Sequence, residues 1–173
     1  MKVLAFGASN SKNSINQQLA HYAAKQVPNA EITTLDMNQL EMPIFSNERE
    51  KELGQPEQAQ QLFKAIGEAD LVIISFAEHN GSYTAAYKNV FDWTSRIDMK
   101  VFQGKPVFML ATSPGPGGAG SVLAAASGSA PYFAADVKVS ISLPSFYDNF
   151  DMETAQVTSE EFNRQLLDAI ETL

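Results

Sequence analysis

The sequence predicts an α/β sandwich in three layers, with a five-stranded parallel sheet ordered 2-1-3-4-5 between two layers of helices. Two observations carry the expectation. Short apolar runs alternate five times with segments of helical periodicity, which is the pattern of successive β-α units feeding a parallel sheet. The runs also differ in polarity. The first, third and fourth are apolar throughout, as strands covered on both faces must be, whereas the second and fifth are mixed, as suits sheet edges. The third run is the most apolar and falls at the centre.

The first strand, Lys2 to Gly7, is short, apolar and ended by glycine. Ser14 then reads as an N-cap with Gln17 three residues on, the spacing of a capping box. Ile15, Leu19, Ala23 and Val27 recur at helical spacing, and Pro28-Asn29 stops the helix. Ala30 to Met37 is a second strand. The connection from Asn38 to Pro56 reads as irregular, holding Met42-Pro43-Ile44-Phe45 and a charged run, Glu48 to Glu52, taken as a solvated loop. Pro56 opens a helix whose apolar face is Leu62, Phe63, Ile66 and Ala69.

Asp70 to Phe76 is the third strand, followed by the polar turn Ala77 to Ser82. A helix from Thr84 to Arg96 turns Ala86, Val90, Phe91, Thr94 and Ile97 to one side. Lys105 to Ala111 forms the fourth strand and empties into Thr112 to Gly118, before a helix of small residues, Ser121 to Ala130. Val137 to Leu143 alternates apolar and polar as the fifth strand. Thr158-Ser159-Glu160-Glu161 caps a last amphipathic helix carrying Phe162, Leu166, Ala169, Ile170 and Leu173. With no repeat, low-complexity tract or linker, residues 1–173 are expected to form a single domain.

Composition narrows the function. The chain is 45% hydrophobic and 18% charged, as soluble globular proteins are. No apolar run approaches the roughly 20 residues of a membrane span, and the N-terminus lacks a secretory pattern. No cysteine is present, which excludes disulfides, thiol catalysis and cysteine-ligated metal. A cytoplasmic location without membrane contact is the expectation. A net charge of −8 argues against a nucleic-acid partner, whose phosphates such a surface repels. His21 and His79 are too far apart in the chain to suggest a metal site.

The chemistry points to the turn after the first strand. Seven of the ten residues from Gly7 to Asn16 carry hydrogen-bonding side chains, and the turn runs straight into a helix N-terminus. Free N–H groups and the positive end of the helix dipole converge there, which suits an anion. A 2-1-3-4-5 sheet is the flavodoxin-like arrangement, whose ligand crevice lies between strands one and three at their carboxyl ends. The loops after strands one, three and four then lie side by side: Ser9 to Asn16, Glu78 to Tyr83, and Ser113 to Gly118. The first suits a phosphate. The others suit a flat heteroaromatic edge read by main-chain groups, and a phosphate joined to such a ring describes FMN.

At these residues the chain resembles the NADPH-dependent FMN reductase family of flavin and quinone reductases. Its first motif, roughly G-S-x-R-x-x-S-x-N, is matched by Ala8-Ser9 to Asn16, with Ser11 in place of the usual arginine. Its second, roughly P-x-Y-N-G-S followed by K-N-x-x-D-W, is matched at Asn80-Gly81-Ser82, Lys88-Asn89 and Asp92-Trp93. Here Ala77 replaces the proline and His79 the tyrosine. Ser113-Pro114-Gly115 with Gly117-Gly118 is similar to the glycine-rich flavin loop.

The resemblance implies that Ser9, Ser11, Ser14 and Asn16 bind the FMN phosphate, with Lys12 supplying the charge missing at Ser11. It implies that Glu78, His79, Asn80, Gly81 and Ser82 contact the flavin ring. Ser113, Pro114, Gly115, Gly117 and Gly118 would lie along the ring or ribityl side. It further implies NADPH or NADH as co-substrate, a flavin, quinone or similar small acceptor, and a homodimer or homotetramer. The cofactor carries the chemistry, so no side chain is assigned a catalytic role.

Plainer readings stand beside these. Ser14 is also a sufficient helix cap, His79 a solvated loop residue, and Lys88 with Asp92 a helix-surface pair. Trp93 and Phe91 read better as core or subunit interface than as flavin stackers. A flavodoxin-type electron carrier is the main rival. Ser9 to Ser14 fits the T-x-T-G-x-T spacing of that family's phosphate loop, and an acidic surface suits it. A dinucleotide-binding enzyme using Asp36 lacks the G-x-G-x-x-G fingerprint.

Overall fold

The computed structural model describes residues 1–173. Eleven principal elements follow in chain order: β1 (Lys2–Ala8), α1 (Ile15–Gln26), β2 (Glu31–Thr34), α2 (Asn47–Leu53), α3 (Glu57–Glu68), β3 (Leu71–Phe76), α4 (Ala85–Thr94), β4 (Pro106–Thr112), α5 (Gly120–Ser129), β5 (Asp136–Leu143) and α6 (Glu160–Ile170). The five strands pair in parallel in the order β2-β1-β3-β4-β5, the flavodoxin-like arrangement expected from their polarity. Every residue of β3 is buried, while β2 is almost wholly exposed and β5 alternates. Edge strands lack a covering neighbour, and their mixed composition follows from that.

Period-two alternation splits the core into two layers. Val3 and Ala5 of β1 with Leu71 and Ile73 of β3 pack on α1 and α6. Leu4, Phe6, Val72, Ile74 and Phe76 face α3, α4 and α5. At Gly7 β1 and the start of α1 approach closely. A Cβ there would lie 2.5 Å from the Gln17 backbone nitrogen, so only glycine fits.

Four local features depart from the sequence reading. Strand β2 stops at Thr34, because the Asp36 carboxylate accepts from the Asn38 N–H at 2.9 Å and starts a 3-10 turn, Met37–Leu40. The charged run is helix, not loop. Ser46 Oγ accepts from the Arg49 N–H at 3.2 Å, and Gly54 ends the helix at φ 67°. α2 buries none of its residues, so no apolar stripe marked it. The capping box at α1 is half formed: Ser14 Oγ accepts from the Gln17 N–H at 3.1 Å, but Gln17 Oε1 accepts from Gly7 N–H at 2.7 Å instead of returning to Ser14. Residues 144–157, unread in the sequence, form a helical turn, Phe146–Asn149, and a small hairpin pairing Phe150 with Val157. Phe146 anchors them, fully buried and stacked on Phe150 at 4.6 Å.

The long connection after β2 is held by α4. Asn89 Nδ2 donates to the carbonyls of Met42 (3.1 Å) and Pro43 (3.2 Å), its Oδ1 accepts from Phe45 N–H (2.8 Å), and Trp93 Nε1 donates to Pro43 O (2.8 Å). Trp93 is fully buried, in keeping with its reading as a core residue. The K-N-x-x-D-W stretch thus serves as a main-chain clamp, and Lys88 with Asp92 forms the surface pair, at 2.8 Å.

Two outcomes test this packing. Gly7→Ala should lower stability by about 1–3 kcal/mol in urea unfolding, the usual cost of overpacking against backbone. Asn89→Ala should raise amide hydrogen exchange over residues 42–45 while leaving β3 and β4 protected, since it removes all three of the Asn89 side-chain bonds to that segment.

Candidate functional site

Six of the seven buried polar side chains (Ser9, Ser14, Asn16, Ser75, Thr84, Thr112) sit at or beside the carboxyl ends of β1, β3 and β4; Thr94 is the exception. A buried polar group costs free energy unless it is paired, so this concentration marks the end of the sheet where structure is spent on positioning.

Asn16 is the hub. It is 2% exposed; its Oδ1 accepts from Ser75 Oγ at 2.7 Å and from Thr112 N–H at 3.1 Å, and its Nδ2 donates to Thr112 O at 3.1 Å. Thr112 Oγ1 continues to Leu143 O at 2.6 Å, and Thr84 Oγ1 donates to Ala8 O at 2.9 Å. The loops after β1, β3, β4 and β5 are thereby joined. The sequence reading placed Asn16 on the phosphate; the structure turns its side chain inward, onto the strands.

The rest of the first loop faces outward. Ser9 Oγ accepts from Ser11 N–H at 3.1 Å, and Ser14 Oγ from Gln17 N–H. Both hydroxyls accept from the backbone and neither hydroxyl proton has an acceptor in the chain, so both remain free to donate. The N–H groups of Ile15 and Asn16, in the first turn of α1, have no acceptor in the chain either. A cleft of about 250 Å³ opens here, lined by Ser9, Ser11, Ser14, Ala77, Glu78, His79, Ser113 and Pro114 among others. A larger depression, about 840 Å³, lies on the β2 side of the same loop. The smaller cleft is the one that joins the three loops, and it is the candidate site.

Lys12 lines the larger depression and not the cleft, so the loop turns hydroxyls and amides, not its cation, toward the site. Asn80 and Gly81 form the two-residue turn of a hairpin, at φ 53° and φ 76°, and Ser82, also exposed, begins its second strand. They stand beyond the cleft lining, which Glu78 and His79 reach. Glu78 Oε2 accepts from Val122 N–H at 2.9 Å, fixing the hairpin to the first turn of α5. Gly115, Gly117 and Gly118 also stand back from the lining. Gly118 is glycine for packing, since a Cβ would strike Ser142 Oγ, whose hydroxyl donates to Gly118 O at 2.6 Å. The reading missed Tyr147, which lines the cleft from the turn after β5 and is 61% exposed. An aromatic just past the fifth strand was its available signal.

Comparison with known proteins bears on the family and the fold. A profile of the NADPH-dependent FMN reductases matches residues 1–141. A quinone reductase of Escherichia coli is 31% identical over 119 residues, 66% of this chain and 61% of that protein. An NAD(P)H-dependent FMN reductase of Pseudomonas aeruginosa is 31% identical over 116 residues, with the same coverage of 66% and 61%. The match thus spans about 61% of the length of these relatives. Among solved structures, FerB, an NAD(P)H:(acceptor) oxidoreductase from Paracoccus denitrificans, superposes with a TM-score of 0.75 at 23% identity, covering 99% of this chain and 93% of that one. An azoreductase from Bacillus anthracis gives a TM-score of 0.64 at 17% identity, covering 99% and 98%. These distant likenesses bear on the fold. No helix of the chain is long and apolar enough to cross a membrane.

Removing the hub tests its part in holding the site. Asn16→Ala leaves the Ser75 hydroxyl and the Thr112 N–H and C=O without their partner. It should cost about 2–4 kcal/mol in urea unfolding, in line with leaving buried polar groups unpaired.

Proposed function

The chain belongs to the NADPH-dependent FMN reductase family, and on that premise we propose that it is an FMN-dependent NAD(P)H oxidoreductase delivering electrons to a flavin, quinone or similar small acceptor. The observation that carries the reading is the convergence of free donors on one cleft at the β1/β3 switch point. Two serine hydroxyls whose oxygens already accept from the backbone, and two unsatisfied N–H groups at the start of α1, match an anion with several acceptor oxygens. FMN fits this donor set through its phosphate. When bound, it supplies the hydride chemistry.

The residues of this chain bind, orient and shield. Ser9, Ser11 and Ser14 donate to the phosphate, and the dipole of α1 offsets its charge with little help from side-chain cations. Asn16 acts as a positioning residue, holding the loop against β3 and β4. Glu78 and His79, on a hairpin pinned by Val122, present an edge to the ring, while Ser113, Pro114 and Tyr147 line the far side. Lys12 contributes charge from the β2 side of the loop. Ile44, 74% exposed on the clamped connection after β2, supports assembly into a homodimer or homotetramer through that surface.

A reductase of this kind should take up FMN, colour yellow and oxidise NADH or NADPH when FMN and a quinone are present. A protein that stays colourless and oxidises neither nicotinamide would overturn the reading. Ile15→Pro examines the phosphate contact. Proline is tolerated at the first helical position, so the change removes one N–H from the site without breaking α1. Relative to Ile15→Ala, which controls for lost packing, the FMN Kd should rise about ten- to a hundredfold, since a bond to a charged group is worth about 1.5–3 kcal/mol. Equal affinities would show that the phosphate does not use this N–H.

A further inference from the structure

The cleft at the strand ends offers an anion many donors and almost no charge. Its lining contains no lysine and no arginine. The loop's one cation, Lys12, lines the depression on the β2 side, and Asp36 lines that same space. Glu78 brings a carboxylate to the cleft, held there by the bond from Val122 N–H at 2.9 Å. The chain as a whole carries a net charge of −8. An anion entering the cleft therefore meets uncharged donors at close range and a negative field at long range.

The close-range donors are well made. Ser9 and Ser14 are each 8% exposed, and the oxygen of each accepts from a backbone N–H, which leaves its proton to donate. Hydroxyls and amides bond to phosphate oxygens but neutralise none of their charge. The dipole of α1 supplies the equivalent of about half an elementary charge, against the ~1.5–2 negative charges of a phosphate monoester near neutral pH. Solvent and salt must answer the remainder. The reach of the chain's own negative field is set by that salt, because the Debye length is about 30 Å at 0.01 M and about 8 Å at 0.15 M.

We propose that this chain holds FMN as an exchanging ligand and not as a resident group, that its binding of FMN tightens as salt is added, and that Ser11 is the position that sets this behaviour. The inference rests on the FMN reading of the cleft. A phosphate site built on cations weakens when salt screens the attraction. Here the sign is reversed, because the excess charge around the anion is negative. Ser11 is exposed, lines both the cleft and the depression, and makes no side-chain hydrogen bond within the chain. Its backbone is not left-handed, so a longer side chain fits there without strain. An arginine would present a planar two-pronged donor and a full positive charge, whereas serine presents one neutral hydroxyl.

The test titrates the full-length protein into FMN, and into riboflavin, which lacks the phosphate, and follows the quenching of flavin fluorescence. From about 20 mM to about 300 mM KCl the wild-type Kd for FMN should fall about three- to tenfold, while that for riboflavin holds within about twofold. Ser11→Arg is compared with Ser11→Gln, an uncharged side chain of similar reach. The FMN Kd of Ser11→Arg should be about ten- to a hundredfold the lower, the worth of one bond to a charged group, with equal riboflavin affinities in the two variants. FMN should stay with Ser11→Arg through a gel filtration that strips it from wild type. Wild-type FMN binding that weakens with salt, FMN retained by wild type through gel filtration, or equal FMN affinities of the two variants would overturn the inference and leave the FMN reading standing. Binding of neither flavin by the wild type would overturn both.

Discussion

One buried amide holds the working end of this protein together. The side chain of Asn16 is sealed from water yet makes three hydrogen bonds, to Ser75 of β3 and to both backbone groups of Thr112 on β4. In a low-dielectric interior such a bond cannot be exchanged for one to water, so a fully paired network favours a single arrangement of its partners. Thr112 extends the network to β5 through Leu143, and Thr84 ties the start of α4 to the end of β1. Four loops become one body before any ligand arrives. Binding a phosphate then need not order a floppy loop, which removes one of the main entropic costs of association.

Close approach makes the amide's reach possible. Gly7 lets α1 start directly against β1, and Gln17 exploits that contact by accepting from the Gly7 N–H. Gly118 does the same on the other flank, letting the lead-in to α5 lie against Ser142 and Pro144. Both glycines work by what they omit. Neither touches the cleft, yet the cleft's shape rests on the backbone spacing they permit.

The sheet and its order were legible because burial on two faces leaves an unmistakable apolar run, and edges do not. Loop positions were legible too, since strand order decides which turns meet. Side-chain direction was harder. Ser14 and Asn16 both read as polar residues of a phosphate loop, and both line the cleft, but the Asn16 amide is drawn to Ser75 and Thr112, partners 59 and 96 residues away that no local pattern announces. Helix α2 escaped because it buries nothing, leaving only its Ser46 cap and Gly54 stop as signals. The Glu78 carboxylate accepts from Val122 N–H, a partner 44 residues away that no local pattern announces.

The hairpin that carries Glu78 shows how little chain is needed to build two unlike surfaces. Left-handed Asn80 and Gly81 make a turn of two residues, so the strands on either side pair at once: Glu78 with Tyr83, His79 with Ser82. Its first strand meets the polar cleft through Glu78 and His79; Tyr83, on its second strand, packs on Tyr87 behind. The Glu78 carboxylate grips α5 and Thr84 grips β1, so the base of the hairpin is held at both corners while its tip stands in water. The base is thus rigid and the tip exposed. The tip's N–H groups stay available, and the pairing beneath them fixes where they point.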